Sequence, residues 1–179
     1  MYKRQTQKSA ATAFTTNTTH PNQSGAIIEY LIDTYDKSNS LTLTSFPEKY
    51  QLKSWLHFQM SGQGPYFGQR AWFVFYHPEK NLTSCLDRYG NEIHRVIGVI
   101  ESHLKKQGTQ YLVGDKCTYA DLSFVPWMWL LPAIMGEGWN AEFESKYPKA
   151  SEWFQKLDRR PGVAKARKDR DEAMAAAKH

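Results

Sequence analysis

From residue 24 onward, apolar side chains return every three or four positions, so one helix face follows another along the chain. Ile27, Ile28, Leu31, Ile32 and Tyr35 make the first stripe, with Asp33 and Asp36 off it and Ser24 placed to cap its start. Residues 37–47, with Ser, Asn, Thr and Pro, read as a linker. A second helical region opens near Glu48, with Leu52, Trp55, Leu56 and Met60 inward. The run SGQGPYFGQR (61–70) breaks the pattern, because glycine and proline disfavour a regular helix. Apolar residues resume at Phe67, Ala71, Val74 and Phe75, which predicts a kink rather than a stop, and His77 and Pro78 end the segment.

A long helix is predicted over 82–106 from Leu86, Tyr89, Ile93, Val96, Ile97, Ile100 and Leu104, with Lys105, Lys106 and Gly108 as stop signals. The next helix is apolar almost all round, from Leu122 through Leu131, and belongs in the middle of a bundle. Thr118 with Asp121 three residues later is a capping arrangement at its start, worth roughly 1 kcal/mol or more. A last amphipathic helix over 148–159 turns Ala150, Trp153, Phe154 and Leu157 inward. Pro161 and Gly162 break it before a short, charged, Ala-rich tail helix. The fold class is therefore mainly α, a helix bundle. Residues 1–22 lack sustained periodicity and read as loop or disorder.

Composition narrows the function. The 41% hydrophobic content suits a folded protein, and all six Trp lie between Trp55 and Trp153, which places the packed mass there. The net charge of +5 is concentrated near the two ends, but Asp169, Asp171 and Glu172 interleave with the C-terminal cations. That pattern reads as a solvated helix, and no nucleic-acid partner is expected. The first fourteen residues are basic and free of acid, a composition shared with organelle transit peptides; a disordered tail or an internal start site is the preferred reading. Two widely separated cysteines, Cys85 and Cys117, point away from disulfide and zinc scaffolds and towards a reducing, cytoplasmic compartment. Pro126 and Pro132 interrupt the longest apolar run, so no membrane span is expected.

Candidate chemistry is sparse. GxSxG, P-loop, GxGxxG and HExxH motifs are absent, and the six histidines form no ligand pair, so no metal is expected. Within the kinked segment, Tyr66, Phe67, Arg70 and Trp72 offer either close helix packing or the mouth of a concave surface for a flat electrophile or an anionic peptide. Arg88 is either a surface ion-pair partner of Asp87 or Glu92, or a carboxylate clamp.

The string YLVGDKCTYADLSFVPW (111–127), with its Gly-Asp-Lys turn and Thr-x-x-Asp cap, resembles the folding motif of the cytosolic glutathione transferase C-terminal domain. YPKASEWFQKLDRRPGVAKA (147–166) resembles that family's next signature. SGQGPYFGQR followed by DRYGNEIHRV (87–96) is similar to the fungal nitrogen-regulator-like and bacterial nu-class branch, and QSGAIIEYLIDTYD (23–36) to the helix closing the family's thioredoxin-like domain.

The resemblance implies four segments: an unmatched tail (1–22), a remnant of the thioredoxin-like domain with its linker (23–46), the helical C-terminal domain (47–168) and a charged tail (169–179). It implies a homodimeric transferase that uses glutathione as a substrate, with no permanent cofactor, for conjugating electrophiles or reducing disulfides and peroxides, a detoxification role. Ser24 and Gln23 match residues that hold the γ-glutamyl end, with Gln where the family usually has Glu, and Arg88 matches an arginine that contacts bound glutathione. Tyr66, Phe67, Arg70 and Trp72 lie where the hydrophobic cosubstrate would sit. No residue matches the family's thiol-activating turn, so no catalytic group is assigned. The alternative is an inactive family member that serves as a binding or regulatory helical module. Truncation would also leave apolar surface exposed on the first helix.

Overall fold

A computed structural model of the chain describes residues 23–79 and 82–176; the expectations for 1–22 lie outside the described residues. Those residues form helices, with no strand among them. In order they are α1 (Ser24–Tyr35), α2 (Glu48–Phe58), a π-helical turn (Gln59–Gln63), α3 (Gly64–Phe75), α4 (Thr83–Gln107), α5 (Tyr119–Met128), α6 (Leu131–Met135), α7 (Trp139–Lys146), α8 (Pro148–Asp158) and α9 (Pro161–Ala176).

The predicted kink is the π turn. Its wider winding turns Gln59 and Gln63 inward, where both are buried. Gln59 Nε2 donates to Gln63 Oε1 at 2.9 Å, and Gln63 Nε2 donates to the Phe124 carbonyl at 3.1 Å. The amide pair thus ties the turn to α5 and pairs three of its polar atoms inside the bundle, while Gln59 Oε1 is buried without a partner among the described residues.

The core lies between α3, α4, α5 and α8, with Phe67, Ile93, Ile97, Phe124 and Trp153 among its buried side chains. α5 buries Phe124, Val125 and Met128 in the bundle, but Leu122 and Trp127 are half-buried and Pro126 is exposed, so it is not covered all round in the way its unbroken apolar character predicts. It ends earlier than the apolar run does: Pro126 lies inside it, and Pro132 restarts the chain as α6. α7 was not legible from periodicity, because its buried face is only Trp139 and Phe143 on a helix of eight residues. Gly136 and Gly138, at φ 97° and 88°, make the turn into it, a backbone region that favours glycine.

Asp121 is the hub of the bundle. Its Oδ2 accepts the Thr118 backbone N–H at 2.9 Å and the Thr118 hydroxyl at 2.7 Å. Its Oδ1 accepts the Leu112 N–H and Trp153 Nε1–H, both at 2.9 Å. The capping box thereby also anchors the loop before α5 and the centre of α8. Glu101, buried on α4, accepts the Ala150 N–H at 2.7 Å near the start of α8, where negative charge is favoured.

α9 is longer than the short helix expected, and position 168, the boundary drawn for the helical domain, lies inside it. None of its residues is buried. A polar clamp attaches it: Asp158 accepts Trp129 Nε1–H at 2.6 Å and pairs with Arg167 at 2.7 Å, while Arg170 lies 4.7 Å over the Trp129 ring.

Candidate functional site

α1 stands at the edge of the bundle. Ile28 and Ile32 pack towards α2 and α5, and Lys53 pairs with Glu29 at 2.7 Å, yet no α1 residue is buried. Ile27, Leu31 and Tyr35 are exposed, which is the apolar surface expected of this helix. Asp36 closes the helix into the linker. Its carboxylate accepts the Ser40 hydroxyl and backbone N–H at 2.6 and 2.7 Å and the Leu41 N–H at 2.8 Å. These bonds, led by the Ser40 hydroxyl, hold it below the usual carboxylate pKa range. Tyr119 N–H then donates to the Leu41 carbonyl at 2.8 Å, so the linker lies against the start of α5.

Between α1, the π turn and α5 lies a groove of about 450 Å³. Its walls are apolar, from Ile28, Leu31, Leu122, Pro126 and Trp127, and Ser24 stands among its lining residues. Gln23 is extended and its carbonyl accepts the first helical bond, from Ile27 N–H at 2.8 Å. The amides of Ser24, Gly25 and Ala26 therefore have no partner within the helix. Among the described residues no side chain caps this end, and its first turn has no acidic residue. The Ser24 hydroxyl donates, among the described residues, to the Met60 sulfur at 3.2 Å, a weak acceptor. An uncapped helix start beside an apolar groove can hold a carboxylate with an apolar or thiol-bearing body next to it.

The other predicted residues are not brought into this groove. Arg88 pairs with Glu92 at 2.5 Å, and Glu92 also takes Arg95 at 2.6 Å. Arg88 and Arg95 lie 5.6 and 5.9 Å over the Tyr66 ring, so Tyr66 belongs to an aromatic–cationic cluster at the α3–α4 face. Phe67 corrects the expectation of a surface mouth. It is fully buried and packs edge-on to Trp127, because one step along a helix turns the side chain about 100° from Tyr66 into the core.

Arg70 is also structural. Its Nε donates to the Ile134 carbonyl at 2.8 Å and its Nη1 to the Leu86 carbonyl, which joins α3 to α4 and α6. Burial disfavours its charge, with Asp87 partly offsetting that. Gly90 makes room for it: a Cβ there would meet Arg70 Nη1 at 2.9 Å. Trp72 is exposed and packs on Phe73 and His77. Periodicity could have separated these four side chains, since positions 66, 67, 70 and 72 cannot share one helix face.

The profile of the glutathione S-transferase C-terminal domain matches residues 65–161. The chain belongs to the glutathione S-transferase family. Within this family it falls in the fungal nitrogen-regulator-like branch. It is 42% identical to the glutathione S-transferase-like protein tpcF of Aspergillus fumigatus over 82% of this chain and 68% of that one. It is 45% identical to glutathione S-transferase 2 of Schizosaccharomyces pombe over 79% of this chain and 64% of that one. Among solved structures it is similar to the glutathione transferase URE2P6 of Phanerochaete chrysosporium in complex with oxidized glutathione, with a TM-score of 0.77, 45% identity, and 85% and 67% of the two chains covered. The chain thus spans about two thirds of the length of these transferase relatives. The Thr118–Asp121 box and the buried Trp153, which carried the resemblance in sequence, are bonded directly to each other in this transferase fold.

Proposed function

We propose that this protein is a glutathione transferase that receives the γ-glutamyl carboxylate of glutathione at the start of α1. The reaction is transfer of the tripeptide to an electrophile, or its use as reductant for a disulfide or peroxide. The observation that carries this reading is the uncapped N-terminus of α1, with Ser24 lining the apolar groove. Three amides without a partner within the helix and a serine hydroxyl suit a carboxylate, and the Gln23 side chain can accept a hydrogen bond from the neighbouring ammonium group. The groove beside them would take the apolar cosubstrate, in place of the Tyr66–Trp72 segment.

Thiol activation requires a donor poised near the glutathione sulfur; of the other hydroxyls lining the groove, Ser123 is already bonded to the Ala120 carbonyl and burial pushes the Tyr119 hydroxyl up to about 12. Turnover therefore relies on a thioredoxin-like fold seated on the exposed face of α1, in keeping with that face's apolar character. The family's homodimeric habit and a cytoplasmic setting complete the proposal; the free thiols of Cys85 and Cys117 suit a reducing compartment.

The test is retention on immobilised glutathione combined with turnover of 1-chloro-2,4-dinitrobenzene, on protein whose helicity is verified by circular dichroism. Retention that is eluted by free glutathione and weakened in Ser24→Pro supports the site. Absence of retention in folded protein refutes it and favours the reading as a non-enzymatic helical module.

A further inference from the structure

The two buried glutamines of the π turn form a relay whose direction is fixed at one end. The Phe124 carbonyl can only accept, so Gln63 must turn its Nε2 towards it, at 3.1 Å. Gln63 Oε1 then faces Gln59 and can only accept, so Gln59 presents its own Nε2, at 2.9 Å. Flipping either amide, or both, sets two oxygens against each other. The free end of the relay is therefore an acceptor, Gln59 Oε1, and it is buried without a partner among the described residues.

Gln59 is also one of the residues that line the groove beside Ser24, and only 3% of it is exposed. An amide oxygen withdrawn from water and left unbonded is costly, and a donor carried by a bound molecule removes that cost. The Ser123 hydroxyl in the same groove makes no such demand, since it already donates to the Ala120 carbonyl at 2.7 Å. Among the described residues that line the groove none is charged. Burial first, then the charges of Glu29 and Asp33, push the Tyr119 hydroxyl up to about 12, so this side of the groove favours an uncharged molecule.

We infer that Gln59 is a specificity-determining residue of this groove: it selects neutral, largely apolar molecules that carry one hydroxyl or N–H donor, which bonds Gln59 Oε1. The apolar walls reward the body of such a molecule without regard to its polar group, whereas a single buried acceptor distinguishes a donor from an isosteric methyl group. As a statement about the transferase's cosubstrate, this rests on the reading of the groove as the place where that cosubstrate sits.

The probes are 2-naphthol and 2-methylnaphthalene, which differ by a hydroxyl in place of a methyl group and are both uncharged at neutral pH. Each is titrated into the full ¹⁵N-labelled chain, with the amide shifts of Leu122, Ser123 and Trp127 reporting occupancy of the groove. Wild type should bind the naphthol about tenfold more tightly than the hydrocarbon. Gln59→Met, of similar size but without the acceptor, should abolish or reverse that preference and hold the hydrocarbon within about twofold of its wild-type affinity. Should Gln59→Met lose helicity by circular dichroism, Gln59→Met/Gln63→Met, which removes both amides together, carries the same expectation. A wild-type preference below about twofold overturns the proposal, as does a preference that survives in the folded variant. Absence of shifts in the groove with either probe also overturns it. Neither probe carries a carboxylate or a thiol, so discrimination without glutathione binding would sink the carboxylate site at Ser24 alone. Glutathione binding without discrimination would sink the role of Gln59 alone.

Discussion

Replacing Asp121 by Asn tests whether this carboxylate holds the bundle together. The side chain is fully buried and accepts from four donors: the N–H groups of Leu112 and Thr118, the Thr118 hydroxyl and the Trp153 indole. Asn preserves the shape but replaces one acceptor oxygen with an NH₂. If Oδ1 stays with Leu112 and Trp153, the NH₂ faces the Thr118 N–H, which is left without an acceptor. The Thr118 hydroxyl can rotate to accept instead. One buried unsatisfied N–H costs about 1–3 kcal/mol, and the two retained bonds lose their charge assistance, so the total is about 3 kcal/mol. Asp121→Ala strands all four donors and should cost about 5 kcal/mol or more, comparable to the whole stability of a domain. Urea unfolding followed by circular dichroism and tryptophan fluorescence measures both. A change below about 0.5 kcal/mol for Asp121→Asn, with unchanged urea dependence, would refute the hub reading.

Gly90→Ala should destabilise by about 2 kcal/mol, because its methyl group displaces the Arg70 guanidinium; Arg70→Met in the same chain should recover much of the loss, read by thermal melting. His94, which bonds the Tyr147 hydroxyl at 3.0 Å, has its pKa lowered mainly by burial and secondarily by Lys146, with Glu142 opposing. The folded state therefore binds this proton less readily than the unfolded chain, and His94's contribution is present above about pH 6.5 and falls as pH drops through the lowered folded value. His94→Gln should flatten that part of the stability–pH curve, and an unchanged slope would contradict the assignment. Cys117 is buried with its thiol pushed up to about 11, while Cys85 is partly exposed. Iodoacetamide at pH 8 should label Cys85 alone in the native protein and both thiols in urea, as mass spectrometry of peptides would show.

The helices that bury a continuous stripe were legible from the sequence. Leu52 and Leu56 on α2, the Ile93–Leu104 series on α4, and Ala150, Trp153 and Leu157 on α8 all point inward as their spacing requires. The cap at Thr118 was legible as well, since its chemistry is local. The reach of Asp121 to Leu112 and Trp153 was not, because it depends on bonds between segments distant in sequence. α7 escaped notice for lack of a stripe, and the full length of α9 because a polar clamp, not an apolar face, attaches it. At the start of α1, the expectation that Ser24 caps the helix is corrected: Gln23 holds the cap position and Ser24 is the first helical residue, because the helical pattern marks the turn but not the residue on which it begins. For Tyr66, Phe67, Arg70 and Trp72 the sequence left close packing and a concave mouth both open; Phe67 and Arg70 pack, and helical geometry places Tyr66 and Trp72 in separate clusters outside the core. Gln59 and Gln63 gave no signal, since a π turn moves polar positions inward without altering composition.

The central claim is that the start of α1 is the anion-receiving end of a glutathione site. A titration of ¹⁵N-labelled protein with glutathione, followed by amide chemical shifts, tests it most directly. The account predicts saturable shifts centred on the Ser24, Gly25 and Ala26 amides, extending to Gln59 and Leu122 along the groove, and lost in Ser24→Pro. Saturable shifts confined to other surfaces, or no shifts at millimolar glutathione in folded protein, would contradict it.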